Sequence, residues 1–245
     1  MIQSDLQHPS RRLLLKRGAA LSALAITGVA GLTAPSVSFA AALSKEVRDA
    51  MTPDEVIESL KSGNLRFREG KMKQHDYLAQ KRASQKGQYP SAVILSCIDS
   101  RAPAEILLDA GIGETFNNRV AGNVQNEDIL GSMEFACALA GAKVVVVMGH
   151  TSCGAVKGAI ANAELGNLTG LLNKIKPAIA ETVYEGERTA DNYDFVDAVA
   201  RTNIKMTLTG IRQQSPVLNK LEQDGKIKIV GAIYKLDGGE VEFFS

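Results

Sequence analysis

The chain has no tryptophan, and its aromatic residues amount to only 5%. That scarcity argues against a stacking platform for single-stranded nucleic acid or carbohydrate. Charge of one sign is missing too: 28 Lys and Arg stand against 27 Asp and Glu, a formal net charge of +1. Such a balance gives no field to draw a nucleic acid or an anionic membrane, and no nucleic-acid partner is expected. Cysteine is sparse, and the three present (Cys97, Cys137 and Cys153) are too few and odd in number for a disulfide framework. No internal repeat or low-complexity linker divides the chain. The apolar segment from Gly18 to about Leu32 is short and rich in Ala and Gly, which argues against a membrane span and leaves an uncleaved anchor as the alternative.

Residues 1–40 stand apart from the rest. Ser10-Arg11-Arg12-Leu13-Leu14-Leu15-Lys16 resembles a twin-arginine export signal, and Ser38-Phe39-Ala40 offers the small residues a signal peptidase reads. The expectation is a signal peptide over 1–40, cleaved after Ala40, that exports the folded protein to the periplasm and leaves no stable membrane span. Residues 41–245 then form a single domain, long enough to bury a substantial core.

Thr52-Pro53-Asp54-Glu55 has the form of a capping box with proline at the first helical position. Val56, Leu60 and Phe67 follow at roughly helical spacing, so a helix is expected to end near Gly70. Residues 71–90 are polar and lysine-rich and read as an exposed helix or loop, with His75 solvated. Four apolar, β-branched runs come next: Ala92–Ser96, Glu114–Arg119, Lys143–Met148 and Lys226–Tyr234. Val144-Val145-Val146-Val147 shows no polar alternation, which suits a strand covered on both faces. Helical stretches at Ala104–Ala110, Asp128–Ala140 and from Cys153 to about Gln223 separate the runs. The alternation predicts an α/β fold, a mostly parallel sheet flanked by helices. Asp237-Gly238-Gly239-Glu240 before Val241–Phe244 predicts a turn into an edge hairpin.

Two of the runs end in metal-binding groups, Cys97 after the first and His150 after the third, with Cys153 three residues on. Functional groups gather at the carboxyl ends of strands in open α/β sheets. Two thiolates and an imidazole suit zinc, with a fourth position left open. Other chemistries fit less well. Arg101 is too close to Cys97 for the longer phosphate loop of a thiol phosphatase, and no Cys-x-x-Cys redox pair exists. Gly111-x-Gly113 lacks the third glycine and the preceding strand of a dinucleotide fingerprint. Cys137, among Phe135, Ala136 and Leu139, reads as core packing.

Cys97-Ile98-Asp99-Ser100-Arg101 together with His150-Thr151-Ser152-Cys153 resembles the paired signatures C-x-D-S-R and H-x-x-C of the β-class carbonic anhydrases. The likeness extends over roughly Thr52 to Ser245. It implies a β-carbonic anhydrase fold with an N-terminal helical arm, one zinc ion per chain held by Cys97, His150 and Cys153, and reversible hydration of carbon dioxide to bicarbonate. Asp99 and Arg101 match the family's catalytic dyad. Gln88, Phe116, Phe135 and Ala121 match segments lining the substrate pocket, with features of the plant-type subgroup. Val120 and Phe135 depart from the asparagine and tyrosine more usual there, and the lost hydroxyl at Phe135 removes one pocket hydrogen bond. Members regulated by bicarbonate carry a tryptophan near the first motif; its absence here implies the unregulated form. The family assembles as dimers or higher multiples, so a homodimer or homotetramer is expected.

The resemblance also assigns work within the first motif. Two thiolates cancel the formal charge of zinc and weaken it as a Lewis acid, so water there should ionise at higher pH than in a three-histidine site. Asp99 would orient that water and Arg101 would hold Asp99. Alternatives with the same motifs are a zinc hydrolase acting on carbonyl sulfide or carbon disulfide, a catalytically silent zinc protein, and a reactive-thiol sensor.

Overall fold

Thr52 and Glu55 close their capping box as the spacing requires. Thr52 Oγ1 accepts from Glu55 N at 3.3 Å, and Glu55 Oε2 accepts from Thr52 N at 2.7 Å. The computed structural model describes residues 43–244 and the backbone of Ser38 and Phe39; the remainder of the expected signal segment lies outside the described residues. In chain order the first elements are β1 (Ser38–Phe39), α1 (Lys45–Ala50), α2 (Pro53–Arg68), β2 (Gln74–His75) and α3 (Tyr77–Ala83). Then come β3 (Ala92–Ser96), α4 (Ala104–Leu107), β4 (Thr115–Arg119), α5 (Glu127–Glu134) and β5 (Val144–His150). The region expected to be helical after Cys153 is five helices: α6 (Gly154–Ile160), α7 (Gly166–Asn173), α8 (Lys176–Glu181), α9 (Tyr193–Gln214) and α10 (Pro216–Gln223). β6 (Lys228–Tyr234) and β7 (Val241–Phe244) close the chain.

Five strands make one sheet in the order β4-β3-β5-β6-β7, parallel except for the final β6–β7 pair, which forms the expected hairpin. β3 and β5 are buried at every position, as their unbroken apolar runs demand. Alternate residues serve opposite layers. Val93, Leu95, Val145 and Val147 pack with Met133, Ile204, Leu208 and Ile211 from the α5 and α9 side. Ile94, Val144, Val146 and Met148 pack with Val56, Ile57 and Leu60 of α2 and Leu107 of α4. Each fully buried aliphatic side chain of this kind contributes about 1.5–3 kcal/mol relative to exposure. Cys137 lies in a π-helical turn, Phe135–Leu139, that continues α5, and its side chain is core as expected. Burial pushes its thiol up to about 12.

One expectation is corrected in residues 71–90. His75 is not solvated: its side chain is 3% exposed and its Nε2 lies 3.1 Å from Oδ1 of the fully buried Asp109. Arg66 on α2 binds the other carboxylate oxygen at 2.5 Å. A buried carboxylate needs such partners, and it draws the polar segment inward. β1 runs parallel to β2, pairing Ser38 with Gln74 and Phe39 with His75. Among the described residues no helix is long and apolar enough to cross a membrane.

Candidate metal centre

β3 and β5 lie side by side, but the strands that follow them lie on opposite flanks, β4 beyond β3 and β6 beyond β5. Loops leaving such a pair diverge and open a crevice at the carboxyl ends. Cys97 follows β3 directly, and His150 is the last residue of β5. Ser96 pairs with Met148, so the two ligand-bearing ends emerge almost level. Cys153 is the N-cap of α6, where the chain turns back over the same crevice.

The ligand atoms of Cys97, His150 and Cys153 all lie within 4.8 Å of one another, and all three residues are buried. His150 Nδ1 donates to Thr151 O at 2.8 Å, which leaves Nε2 as the lone-pair nitrogen. That Nε2 is buried and has no hydrogen-bond partner among the described residues. A buried acceptor left bare costs about 1–3 kcal/mol, which a metal–nitrogen bond removes. The two sulfurs are 3.9 Å apart. Cys153 hydrogen-bonds toward Cys97 and, against the opposing effect of burial, holds the Cys97 thiol well below the ordinary thiol range. Cys153 rises in turn, because a second thiolate would face the first away from water. A divalent cation among the three resolves that conflict by letting both ionise. Two thiolates, one imidazole and a free fourth position fit zinc.

Two glycines lie close against this cluster. Gly122, with φ +69°, donates its N–H to Cys97 Sγ at 3.4 Å, and a Cβ there would meet Ile175 Cδ1 at 2.5 Å. At Gly149 a Cβ would lie 2.8 Å from Ile204 Cδ1. The positive φ at Gly122 is a conformation that L residues resist, whereas at both positions the first contact is the end of an isoleucine side chain that can shift.

Asp99 lies at the open side, with Oδ2 3.7 Å from His150 Nε2. Arg101 grips it three times: backbone N to Oδ1 at 2.9 Å, Nε to Oδ1 at 3.0 Å and Nη2 to Oδ2 at 2.8 Å. The guanidinium holds the Asp99 carboxyl well below the usual carboxylate range. The carboxylate is 15% exposed and the guanidinium 57%, so the pair contributes little to stability and much to aim. Arg119 ends β4. Its Nε donates to Cys97 O at 2.9 Å and its Nη2 to Asp99 O at 2.5 Å, tying both sides of Ile98 to the neighbouring strand. The register that pairs Ser96 with Arg119 carries that signal. Asp197 of α9, which sequence reasoning missed, accepts from Ser152 N at 2.6 Å.

The residues expected to line a pocket divide into two groups. Ala121 belongs to the turn Ala121–Asn123, next to the glycine that faces Cys97. Gln88 is exposed and precedes β3, at the opposite end of that strand from Cys97. Phe116 pairs with Val93, which puts it roughly 13 Å along the strand direction from Cys97 at about 3.3 Å per residue. Phe135, half exposed, meets Phe116 edge-on with ring centroids 6.1 Å apart. These three are not gathered at the metal cluster of their own chain. Val120 packs instead between two apolar clusters, one of which contains Cys97 and Cys153.

Residues 92–241 match the family described as carbonic anhydrase. Carbonic anhydrase 2 of Mycobacterium tuberculosis is 36% identical over 184 residues, covering 74% of this chain and 88% of that protein. A carbonic anhydrase of Mycolicibacterium smegmatis is 33% identical over 190 residues, covering 77% and 91%. Among solved structures, the β-carbonic anhydrase CafA of Aspergillus fumigatus superposes with a TM-score of 0.60 at 28% identity, over 67% of this chain and 79% of that one. A tetrameric β-carbonic anhydrase of Sordaria macrospora shares the fold with a TM-score of 0.61 at 22% identity, over 66% and 83%.

Proposed function

The chain belongs to the β-class carbonic anhydrases, and on that premise we propose that Cys97, His150 and Cys153 hold one zinc ion at which Asp99 and Arg101 act as the catalytic dyad. The enzyme interconverts carbon dioxide and bicarbonate, as the family does. The observation that carries the assignment of the site is the buried, unpartnered Nε2 of His150, facing two thiols with the clamped Asp99 3.7 Å away. Zinc, when bound there, would supply the Lewis acid that makes water more acidic, with ionisation at a higher pH than in a three-histidine site because two thiolates offset its charge.

The chain's own residues do the rest. Asp99, kept ionised by Arg101, would accept a hydrogen bond from the attacking oxygen and so turn its lone pair toward the substrate carbon. Arg119 fixes the backbone on either side of Ile98, so the Asp99 carboxylate keeps its place. The Gly122 N–H stabilises the Cys97 thiolate and limits how much charge the sulfur gives to the metal. Zinc analysis with stopped-flow hydration of carbon dioxide tests the site. One zinc per chain and a catalysed rate abolished in His150→Ala support it, and full zinc in that variant contradicts it. Turnover of carbonyl sulfide exceeding that of carbon dioxide would move the substrate assignment to the related hydrolases.

The location of Gln88, Phe116 and Phe135 supports a homo-oligomer, a homodimer at least. If these residues line the substrate pocket, as the plant-type resemblance implies, a second copy must bring them to the metal. β4, which bears Phe116, is an edge strand of the sheet, and Phe135 is half exposed beside it. Light scattering checks this, with a mass at a multiple of the chain expected and a monomer contradicting it. We also propose that residues 1–40 form a twin-arginine signal leading to the periplasm, supported by Arg11-Arg12 and Ser38-Phe39-Ala40. Cleavage after Ala40 would remove β1. An exported protein whose N-terminal sequence begins at Ala41 is the expected result, and one retaining residues 1–40 contradicts it.

A further inference from the structure

Ser152 stands between two of the ligands, His150 and Cys153, with a φ of +54° that L side chains resist. Its neighbour Thr151 is held from the sheet: Thr151 N donates to Tyr234 O at 2.9 Å, and Thr151 Oγ1 accepts from Leu236 N at 3.0 Å. Ser152 is held from the other direction, by the 2.6 Å bond from its N–H to Asp197 Oδ1. Asp197 sits early in α9, five residues after the N-cap Asn192. The same helix reaches the other ligand loop, where Asn203 Nδ2 donates to Gly122 O at 2.8 Å and Gly122 N–H points at Cys97 Sγ. One rigid helix therefore ties the loop of Cys97 to the turn of His150 and Cys153.

We propose that Asp197 is a positioning residue of the zinc site: by accepting the Ser152 N–H it holds Ser152 in the left-handed conformation and so sets the span between His150 Nε2 and Cys153 Sγ. Released from that bond, Ser152 relaxes to negative φ, and a backbone rotation between the two ligands swings Cys153 and the start of α6 away from the imidazole. Groups that orient metal ligands in this way commonly change metal affinity by 10–100-fold when removed. The inference rests on the reading of Cys97, His150 and Cys153 as zinc ligands.

The test is zinc affinity by competition with a chromophoric chelator, on the wild type, Asp197→Ala, Asp197→Asn, and Asp197→Ala combined with Ser152→Gly. Circular dichroism of the zinc-free proteins reports whether α9 stays folded. Asp197→Ala is expected to weaken zinc binding about tenfold or more, by analogy with other orienting groups. Asp197→Asn keeps an acceptor oxygen and should stay within about threefold of wild type, since the bond survives. The glycine double variant should recover most of the loss, because glycine adopts positive φ without an anchor. A purely structural role for Asp197 in α9 would not be rescued by a glycine at 152. Wild-type affinity in Asp197→Ala, or failure of the glycine to restore it, overturns the inference. If Asp197→Ala does not fold, Asp197→Asn decides, and a tenfold loss there overturns it. A wild type that binds no zinc would instead overturn the ligand assignment.

Discussion

At the scale of the residue, the site separates groups that could bind a metal from groups that hold them in place. Cys97, His150 and Cys153 were legible in the sequence because their side chains carry the chemistry and their spacing puts them at strand ends. Arg119 and Asp197 were not, since they act on backbone atoms 20–22 and 45 positions away. Arg119→Met is expected to leave the Cys97 and Asp99 carbonyls bare and to lower kcat about tenfold or more while zinc remains bound. Arg119→Lys should restore little, because one ammonium cannot span both carbonyls as the planar fork does. Stopped-flow kinetics with metal analysis on the two variants checks this, and near wild-type kcat in Arg119→Met would remove Arg119 from the account. Of the two pocket departures, Phe135 lies away from the metal cluster, whereas Val120 packs on the apolar cluster that contains Cys97 and Cys153.

At the scale of the element, β3, β5 and α2 were read closely because burial on both faces and a capping box each leave a clear pattern. Residues 71–90 were read correctly as an exposed helix and loop, but His75 was misread as solvated, since composition shows a polar stretch and not the buried carboxylate that recruits it. Asp109 comes from beyond α4, 34 residues after His75, and joins α2, the Lys73 backbone and β2. Burial alone would raise the Asp109 pKa, but Arg66, the Lys73 N–H and His75 overcome it and hold the carboxyl below its ordinary range. Asp109→Asn should lower unfolding stability by about 2 kcal/mol at pH 7, less than a fully buried pair because Arg66 is 30% exposed. Asparagine tolerates the left-handed φ of +48° at this position, so the variant isolates charge from backbone strain. A carboxyl with a lowered folded pKa stabilises fully above the unfolded value near 4 and loses that contribution as pH falls through the folded value. The gap between wild type and Asp109→Asn should therefore close on acidification below about pH 4. Urea titrations across that range check it, and a gap independent of pH would contradict the charge argument.

At the scale of the whole molecule, the sheet order places the cluster where the connections from β3 and β5 part, and the metal joins elements far apart in the chain. The third apolar cluster, which contains Cys97 and Cys153 with Val156, Phe195 and Val199, binds the fate of α6 and α9 to the site. Zinc at 100-fold above its Kd stabilises a fold by about 2.7 kcal/mol, so chelation should lower Tm by roughly 5–10 °C. An unchanged Tm on chelation would mean the metal is not held by the folded chain. The α/β class was open to sequence reasoning because strands and helices alternate. How copies meet was not, because an edge strand and a half-exposed phenylalanine gain their meaning only in space. The measurement closest to the central claim is stopped-flow hydration of carbon dioxide, normalised to bound zinc, for wild type and Asp99→Asn. A hundredfold or greater loss of rate per zinc, on the order of a missing general base or orienting group, with one zinc per chain retained is the predicted result. Equal rates per zinc in the two proteins would contradict the assignment of Asp99, and with it the division of labour between metal ligands and dyad.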